Sequence, residues 1–259
     1  MNEYIITYDI GTTSLKTCLF KSEKNPELIA SASDSYPIDV LENGGVEQNP
    51  DHWWRAVCST TRRIIADNKI KSSDIRGISL CAQMQGLVLV DDKGRHVRNS
   101  MSYMDNRGKN QMKKTVGKGP AVDGFNVFKL LKSIRITGVA ATSAKDPIYR
   151  YLWVKENEPE IFEKASKWLD VKEYIIARST GNMVMTEDSA FATLLMDIRK
   201  NKRIFSPAVC SIYGVDINHL PDIIKSTDTA GYVTAQAAAE TGLAEGTPVF
   251  GGGGLSLIH

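Results

Sequence analysis

Eight residues near the amino terminus, Asp9-Ile10-Gly11-Thr12-Thr13-Ser14-Leu15-Lys16, gather a carboxylate, a glycine, three hydroxyls and an ammonium. A β-prone run (Tyr4, Ile5, Ile6, Tyr8) leads in, and Cys18, Leu19 and Phe20 lead out. Two strands joined by a tight turn then leave Gly11 to Ser14 at the tip. A glycine there permits close backbone approach, and hydroxyls together with backbone N–H groups bind phosphate oxygens. Asp9, at a strand end, suits a magnesium ion held through water, because that ion prefers oxygen ligands and keeps several waters. Lys16 suits charge neutralisation on a phosphoryl group. The same eight residues also make an ordinary polar hairpin whose Asp and Thr side chains satisfy the turn.

Two further stretches carry candidate chemistry. Ala82-Gln83-Met84-Gln85-Gly86 breaks two apolar runs at 75–81 and 87–90. Amides beside a buried strand end need partners, so Gln83 and Gln85 are candidates for ligand contact, whereas Met84 reads first as a packing residue. Tyr103-Met104-Asp105-Asn106-Arg107 sets a carboxylate and a guanidinium two residues apart. That spacing serves a ligand site, a surface ion pair or a helix cap. The four cysteines (Cys18, Cys58, Cys81, Cys210) show no metal-ligand pairing, and Cys18 and Cys81 read as small buried hydrophobes in strands. The four histidines lie in unrelated contexts, so no zinc site is expected.

These residues need a frame. Strands are expected at 4–9, 15–21 and 28–32, then a helix opened by Asn49 as N-cap and Pro50 as first helical residue. Trp53, Val57 and Ile64 share one face of it, with Trp54 and Ile65 beside them, so the helix packs on a sheet and the tryptophans are core. Strands at 75–81 and 87–90 follow. Residues 108–146 have weaker periodicity and are expected to form a mobile, inserted or helical subregion. Helices are expected after Asp146-Pro147, between Asp170 and Gly181, at Asp188-Ser189-Ala190 and from Ser206-Pro207 to Gly214. Strands at 231–234 and 247–250 flank a helix at 235–241, before four glycines, Gly251 to Gly254. The strand, helix, strand order predicts an α/β domain with ligands at the strand ends.

Composition narrows the class. With 42% hydrophobic and 24% charged residues in 259, the chain has the make-up of a soluble globular protein with a substantial core. A net charge of +2 gives no reason to expect nucleic acid or a membrane as partner. The run Arg107, Lys109, Lys113, Lys114, Lys118 reads as a solvated helix and loop, or as a segment that helps attract an anionic ligand. No signal peptide or membrane-length apolar run is seen, so a reducing cytoplasm is expected.

Several separated stretches resemble one family. Asp9 to Lys16 resembles the first phosphate loop of the FGGY carbohydrate kinases, which share the actin and hexokinase ATPase fold. Glu47-Gln48-Asn49-Pro50-x-x-Trp53-Trp54 is similar to their Glu-Gln-Asp-Pro-x-x-Trp-Trp segment, and Gln83-Met84-Gln85-Gly86 to the Gln-Met-His-Gly of xylulokinases. Asp105-Asn106-Arg107 matches their Asp-x-Arg. The stretch from Leu152 to Glu160, Asp188-Ser189-Ala190 and the four glycines continue the match in order.

The resemblance implies an RNase H-like α/β domain, a mixed sheet flanked by helices, spanning 1–259 and carrying the sugar site. The carboxy-terminal nucleotide-binding domain of the family is expected to be absent from this chain. It implies ATP-dependent phosphorylation of a sugar or polyol hydroxyl, a xylulose-like ketose above others, with Mg²⁺. By carry-over, Asp9 orients water on Mg²⁺, and Thr12, Thr13, Ser14 and Lys16 meet the nucleotide phosphates. Gln83, Met84 and Gln85 meet the substrate, and Asp105 with Arg107 lies at or near its pocket. Glutamine at 85, where the xylulokinase pattern has histidine, keeps hydrogen bonding without a titratable group. The family's general base is the Asp after the glycines, whereas Leu255 follows Gly254 here. The chain alone is therefore expected to be a fragment with weak or no turnover, a silent binding domain or half of a split kinase. A homodimer is left open.

Overall fold

The computed structural model describes residues 3–116, 121–122, 125–200 and 202–254. Its central sheet is built from β1 (Tyr4–Ile10), β2 (Ser14–Lys21), β3 (Glu27–Ser35), β4 (Ile75–Ala82), β5 (Thr229–Tyr232), β6 (Pro248–Phe250) and β7 (Gly253–Gly254). The strand order is β5-β6-β4-β1-β2-β3, with β7 also on β4. The sheet is mixed. β1, β2 and β3 run antiparallel in succession, whereas β4 is parallel to β1, β6 and β7 are parallel to β4, and β5 is antiparallel to β6.

Strand alternation sorts the side chains of β1 and β2. Ile6, Tyr8, Ile10, Leu15 and Leu19 point to one face and are fully or almost fully buried. The helix α1 (Pro50–Asp67) covers that face. It starts as expected: the Asn49 side chain accepts from the Asp51 N–H at 2.9 Å, and Pro50 needs no donor there. Trp53 and Trp54 lie in the core, as the helical pattern predicts. Buried hydroxyls pair across the interface, Tyr8 with Thr61 and Thr17 with Thr60, each at 2.7 Å, which offsets the cost of burying them. Helices α2 (Val171–Thr180), α3 (Glu187–Ala192) and α4 (Ala235–Thr241) complete the elements used below. Gly181 closes α2 at φ 77°, the left-handed geometry that glycine adopts without strain.

A second apolar cluster joins Leu87, Met101, Tyr149, Tyr151, Trp168 and Tyr213 to further residues of the inserted helices, with Trp168 stacked on Tyr151 at 5.3 Å. The weakly periodic stretch holds helices at Lys109–Val116 and Val127–Thr137, so the helical option was the right one for much of it. Lys118 lies outside the described residues.

The opposite face of β1, β2 and β4 presents Thr7, Asp9, Lys16, Cys18, Ser79 and Cys81. This corrects the expectation for Cys18 and Cys81. Both are only half-buried, because they occupy the alternate positions of their strands, while Cys58 and Cys210 are the buried thiols. No helix among the described residues is long and apolar enough to cross a membrane.

Candidate functional site

Three loops meet where β1, β4 and β6 end. The turn after β1 and the amide loop after β4 are joined directly, because the Gln83 N–H donates to the Ile10 carbonyl at 2.8 Å. On the other side, Gly253 and Gly254 pair with Cys81 and Ala82. Parallel strands ending together leave a crevice at their carboxyl ends.

The turn is held from behind. Tyr36 donates its hydroxyl to the Gly11 carbonyl at 2.7 Å and its N–H to the Thr13 carbonyl at 3.0 Å. Gln48 Nε2 donates to the Thr12 carbonyl at 2.8 Å. With its carbonyls occupied, the turn keeps the amides of Thr12 and Thr13 free of partners among the described residues. Asp9 and Lys16 stand opposite each other in the β1–β2 register, both exposed, and neither enters an ion pair with a described residue. The Asp9 charge is felt by its neighbours: burial and then this carboxylate push the Cys81 thiol up to about 11. A cavity of about 530 Å³ opens here, lined among others by Asp9, Lys16, Cys81, Ser226, Gly252 and Gly253.

The amide loop is fixed by a carboxylate distant in sequence. Asp170 accepts from the N–H groups of Gln85 at 2.8 Å, Gly86 at 2.7 Å and Val171 at 2.7 Å. This holds Gln85 at φ 64°, a left-handed conformation that a side chain disfavours. Burial, then the Glu173 carboxylate, push the Asp170 carboxyl up to about 7 against those three donors. Gln83 Nε2 donates to Gln48 Oε1 at 2.9 Å, while Gln83 Oε1 is buried and takes no partner among the described residues.

The glycine run is shaped by close approach. Gly252 has φ 69°, and a Cβ on it would overlap the Leu80 carbonyl; one on Gly254 would overlap the Met84 thioether. Asp188 accepts from the Gly254 N–H, and the buried Lys172 ammonium donates to Glu173 at 2.6 Å and to the Gly251 carbonyl at 3.1 Å. Residues 255–259, including the position where a general base is expected, lie outside the described residues.

Asp105 and Arg107 sit in a buried ion cluster. Asp105 is fully buried and accepts from the Val46 N–H at 2.9 Å and from Arg107 Nη2 at 2.6 Å. Arg107 also donates to Glu47 at 2.5 Å and lies over the Trp153 ring, 4.2 Å from its centroid. The pair is thus no surface ion pair, and Arg107 is not part of a solvated basic run. Its charge is balanced inside the protein.

Gln48, Asp170, Lys172 and Asp188 were not among the residues expected in the site. Asp170 marked only the start of a helix, and its bonds to residues 84 and 85 positions away leave no local signal. A larger cavity of about 600 Å³ among α1, α2 and α4 contains none of the candidate residues. Most of its charges are paired, Asp51 with Arg178 at 2.9 Å and Arg95 with Asp91 at 2.7 Å, so size does not mark it as the site.

Magnesium and a nucleotide phosphate can be tested against these groups. Among the described residues no three His, Cys, Asp or Glu side chains cluster as a metal cage. One open carboxylate beside free amides and an ammonium instead fits an ion that arrives with phosphate oxygens and keeps its waters.

Comparison with known proteins agrees with this geometry. Residues 4–256 match the profile described as the FGGY family of carbohydrate kinases, N-terminal domain. A xylulose kinase of Bacillus subtilis is 31% identical over 251 residues, covering 97% of this chain and 47% of that protein. A gluconate kinase of Lactobacillus acidophilus superposes with a TM-score of 0.83 at 26% identity, over 98% of this chain and 48% of that one. A ligand-bound xylulose kinase from the same organism gives 0.82 at 26%, over 97% and 48%. The chain spans about half the length of the curated relatives it matches. The chain belongs to the FGGY family of carbohydrate kinases.

Proposed function

We propose that the protein carrying this chain transfers a phosphoryl group from ATP to a hydroxyl of a sugar or polyol, with a xylulose-like ketose as acceptor. The observation that carries this reading is the open end of the turn. Asp9, Lys16 and the Thr12 and Thr13 amides have no partners among the described residues, one hydrogen bond from the amide loop. Phosphoryl transfer is catalysed mainly by positioning and charge neutralisation, and these groups supply both.

In this reading Thr12, Thr13, Ser14 and Lys16 hold nucleotide phosphates, and Asp9 orients the water shell of Mg²⁺. The ion, when bound, neutralises charge between the phosphates. Gln83, Met84 and Gln85 face the acceptor, with Gln85 kept in place by Asp170. Asp105 and Arg107 build the wall behind the pocket through strand Val46–Gln48. The attacking hydroxyl needs a proton acceptor, and position 255 is leucine, so the 259-residue chain by itself is expected to bind more readily than it turns over.

Relatives named xylulose kinase and gluconokinase both match, so the acceptor is the open question. Assay of the protein as encoded by its gene, with MgATP and a panel of ketoses, polyols and sugar acids, answers it. Saturable phosphorylation of a pentulose is the expected result. Folded protein that phosphorylates none of the panel contradicts the reading.

A further inference from the structure

The cap and first turn of α2 bury three ionisable residues, Asp170, Lys172 and Glu173, none more than 4% exposed. Asp170 holds the amide loop, whereas Lys172 holds the glycine run. The Lys172 ammonium has three N–H donors and meets three acceptors. These are Glu173 Oε1 at 2.6 Å, the Thr186 hydroxyl at 2.5 Å and the Gly251 carbonyl at 3.1 Å. Thr186 is fixed in turn, because its N–H donates to Glu173 Oε1 at 3.3 Å.

Through Gly251 this cluster reaches the phosphate side. Gly251 donates its N–H to the Asp228 carbonyl at 3.0 Å, and Gly252 donates to the Ser226 carbonyl at 2.9 Å. A Cβ on Gly251 would overlap the Thr186 methyl group and the Lys225 carbonyl. The run is therefore pressed between Thr186 and the backbone at 225–228. Its next two residues, Gly252 and Gly253, line the cavity shared with Asp9 and Lys16, so a shift of Gly251 moves that wall.

Stability gives little reason for the buried charges. Glu173 Oε2 is buried without a partner among the described residues. A buried ion pair can often be replaced by neutral side chains of similar volume at little cost. What an apolar side chain at 172 cannot do is aim an N–H at the Gly251 carbonyl.

We infer that Lys172 is a positioning residue that holds the glycine run at the distance from Asp9 and Lys16 that a nucleotide phosphate requires. The inference rests on the proposed function and deepens its phosphate side. At 2% exposure Lys172 itself reaches no ligand, and it acts through the Gly251 carbonyl. Its loss should be felt by ATP and not by the acceptor, because the amide loop keeps its own anchor, Asp170.

Steady-state kinetics of the protein as encoded, with MgATP and D-xylulose varied in turn, tests this. The main variant is Lys172→Met with Glu173→Gln, which removes one charge of each sign and keeps an acceptor for Thr186. Its KM for MgATP should rise about tenfold or more, the scale of a small misplacement of a binding group, with kcat down no more than about threefold. Its KM for D-xylulose should stay within about twofold, and Tm should change little. Thr186→Val takes one acceptor from the ammonium while keeping the side-chain shape. It should raise the KM for MgATP about threefold in the same selective way, and it decides the matter if the double variant does not fold. Folded variants with wild-type KM for MgATP, or with both KM values raised together as general loosening would raise them, overturn the inference. A wild type that phosphorylates no acceptor instead overturns the functional reading on which it rests.

Discussion

The motifs Asp9 to Lys16 and Asp105 to Arg107 have similar chemistry in the sequence and opposite fates in the fold. Each brings a carboxylate and a cation together. At the turn, both groups are exposed and unpaired among the described residues, facing a cavity across the β1–β2 register. In the second motif the carboxylate is fully buried and the guanidinium is shared between Asp105 and Glu47. Charges left open mark a place for a ligand, whereas charges closed on each other mark a wall. The distinction follows from strand geometry: Asp9 and Lys16 lie on the face that α1 does not cover, and Asp105 sits beneath the strand that carries Glu47.

That contrast can be broken at several points. The largest effect is expected on the open side, where the glycine run meets the backbone of β4. Gly252→Ala places a methyl group on the Leu80 carbonyl and imposes a disfavoured φ, so it should cost more than about 4 kcal/mol and leave little folded protein. Urea denaturation followed by circular dichroism reads this directly; a near-neutral result would mean that the glycine run does not sit on β4.

Next comes Asp105→Asn, which leaves Arg107 buried with one carboxylate fewer. Breaking a buried pair from one side costs about 3 kcal/mol or more. Its Tm should fall while the KM for ATP in the remaining folded protein changes little. A stable variant would put Asp105 on the ligand side of the comparison.

Asp170→Asn is expected to be milder, roughly 1–2 kcal/mol, because one acceptor for the Gln85 and Gly86 amides is lost. Its signature is pH dependence. The folded Asp170 carboxyl lies up at about 7, above its ordinary 3.8, so the folded state holds this proton where the unfolded chain has released it. Stability from this group is fully present below about pH 3.8 and is lost as pH rises through about 7. The variant should flatten that part of the stability profile. Affinity for the acceptor should run the other way in the wild type, since the ionised carboxylate is the better acceptor for both amides. Equal pH slopes in the two proteins would remove Asp170 from the account.

The turn itself and α1 were legible in the sequence because their signals are local: a glycine with three hydroxyls between strand-like runs, and an Asn-Pro start before a helical stripe. The strand order was out of reach, since β4, β6 and β7 are brought beside β1 from positions far along the chain. The same distance hid Asp170, whose partners are Gln85 and Gly86, and Gln48, whose partners are Thr12 and Gln83. Cys18 and Cys81 were read as buried because an apolar strand does not say which of its two faces is covered. Only the packed sheet shows that α1 covers one face of β1 and β2.

The most direct test of the open turn is Asp9→Asn in the protein as encoded, compared with wild type for Tm and for ATP-dependent phosphorylation of D-xylulose. An exposed, unpaired carboxylate contributes little to folding, so stability should stay within about 0.5 kcal/mol. Turnover should fall roughly 10²-fold or more, the scale of losing one charge-positioning group. A variant that keeps wild-type turnover, or that loses activity only because it unfolds, would contradict the claim that the open charges of this turn are its working end.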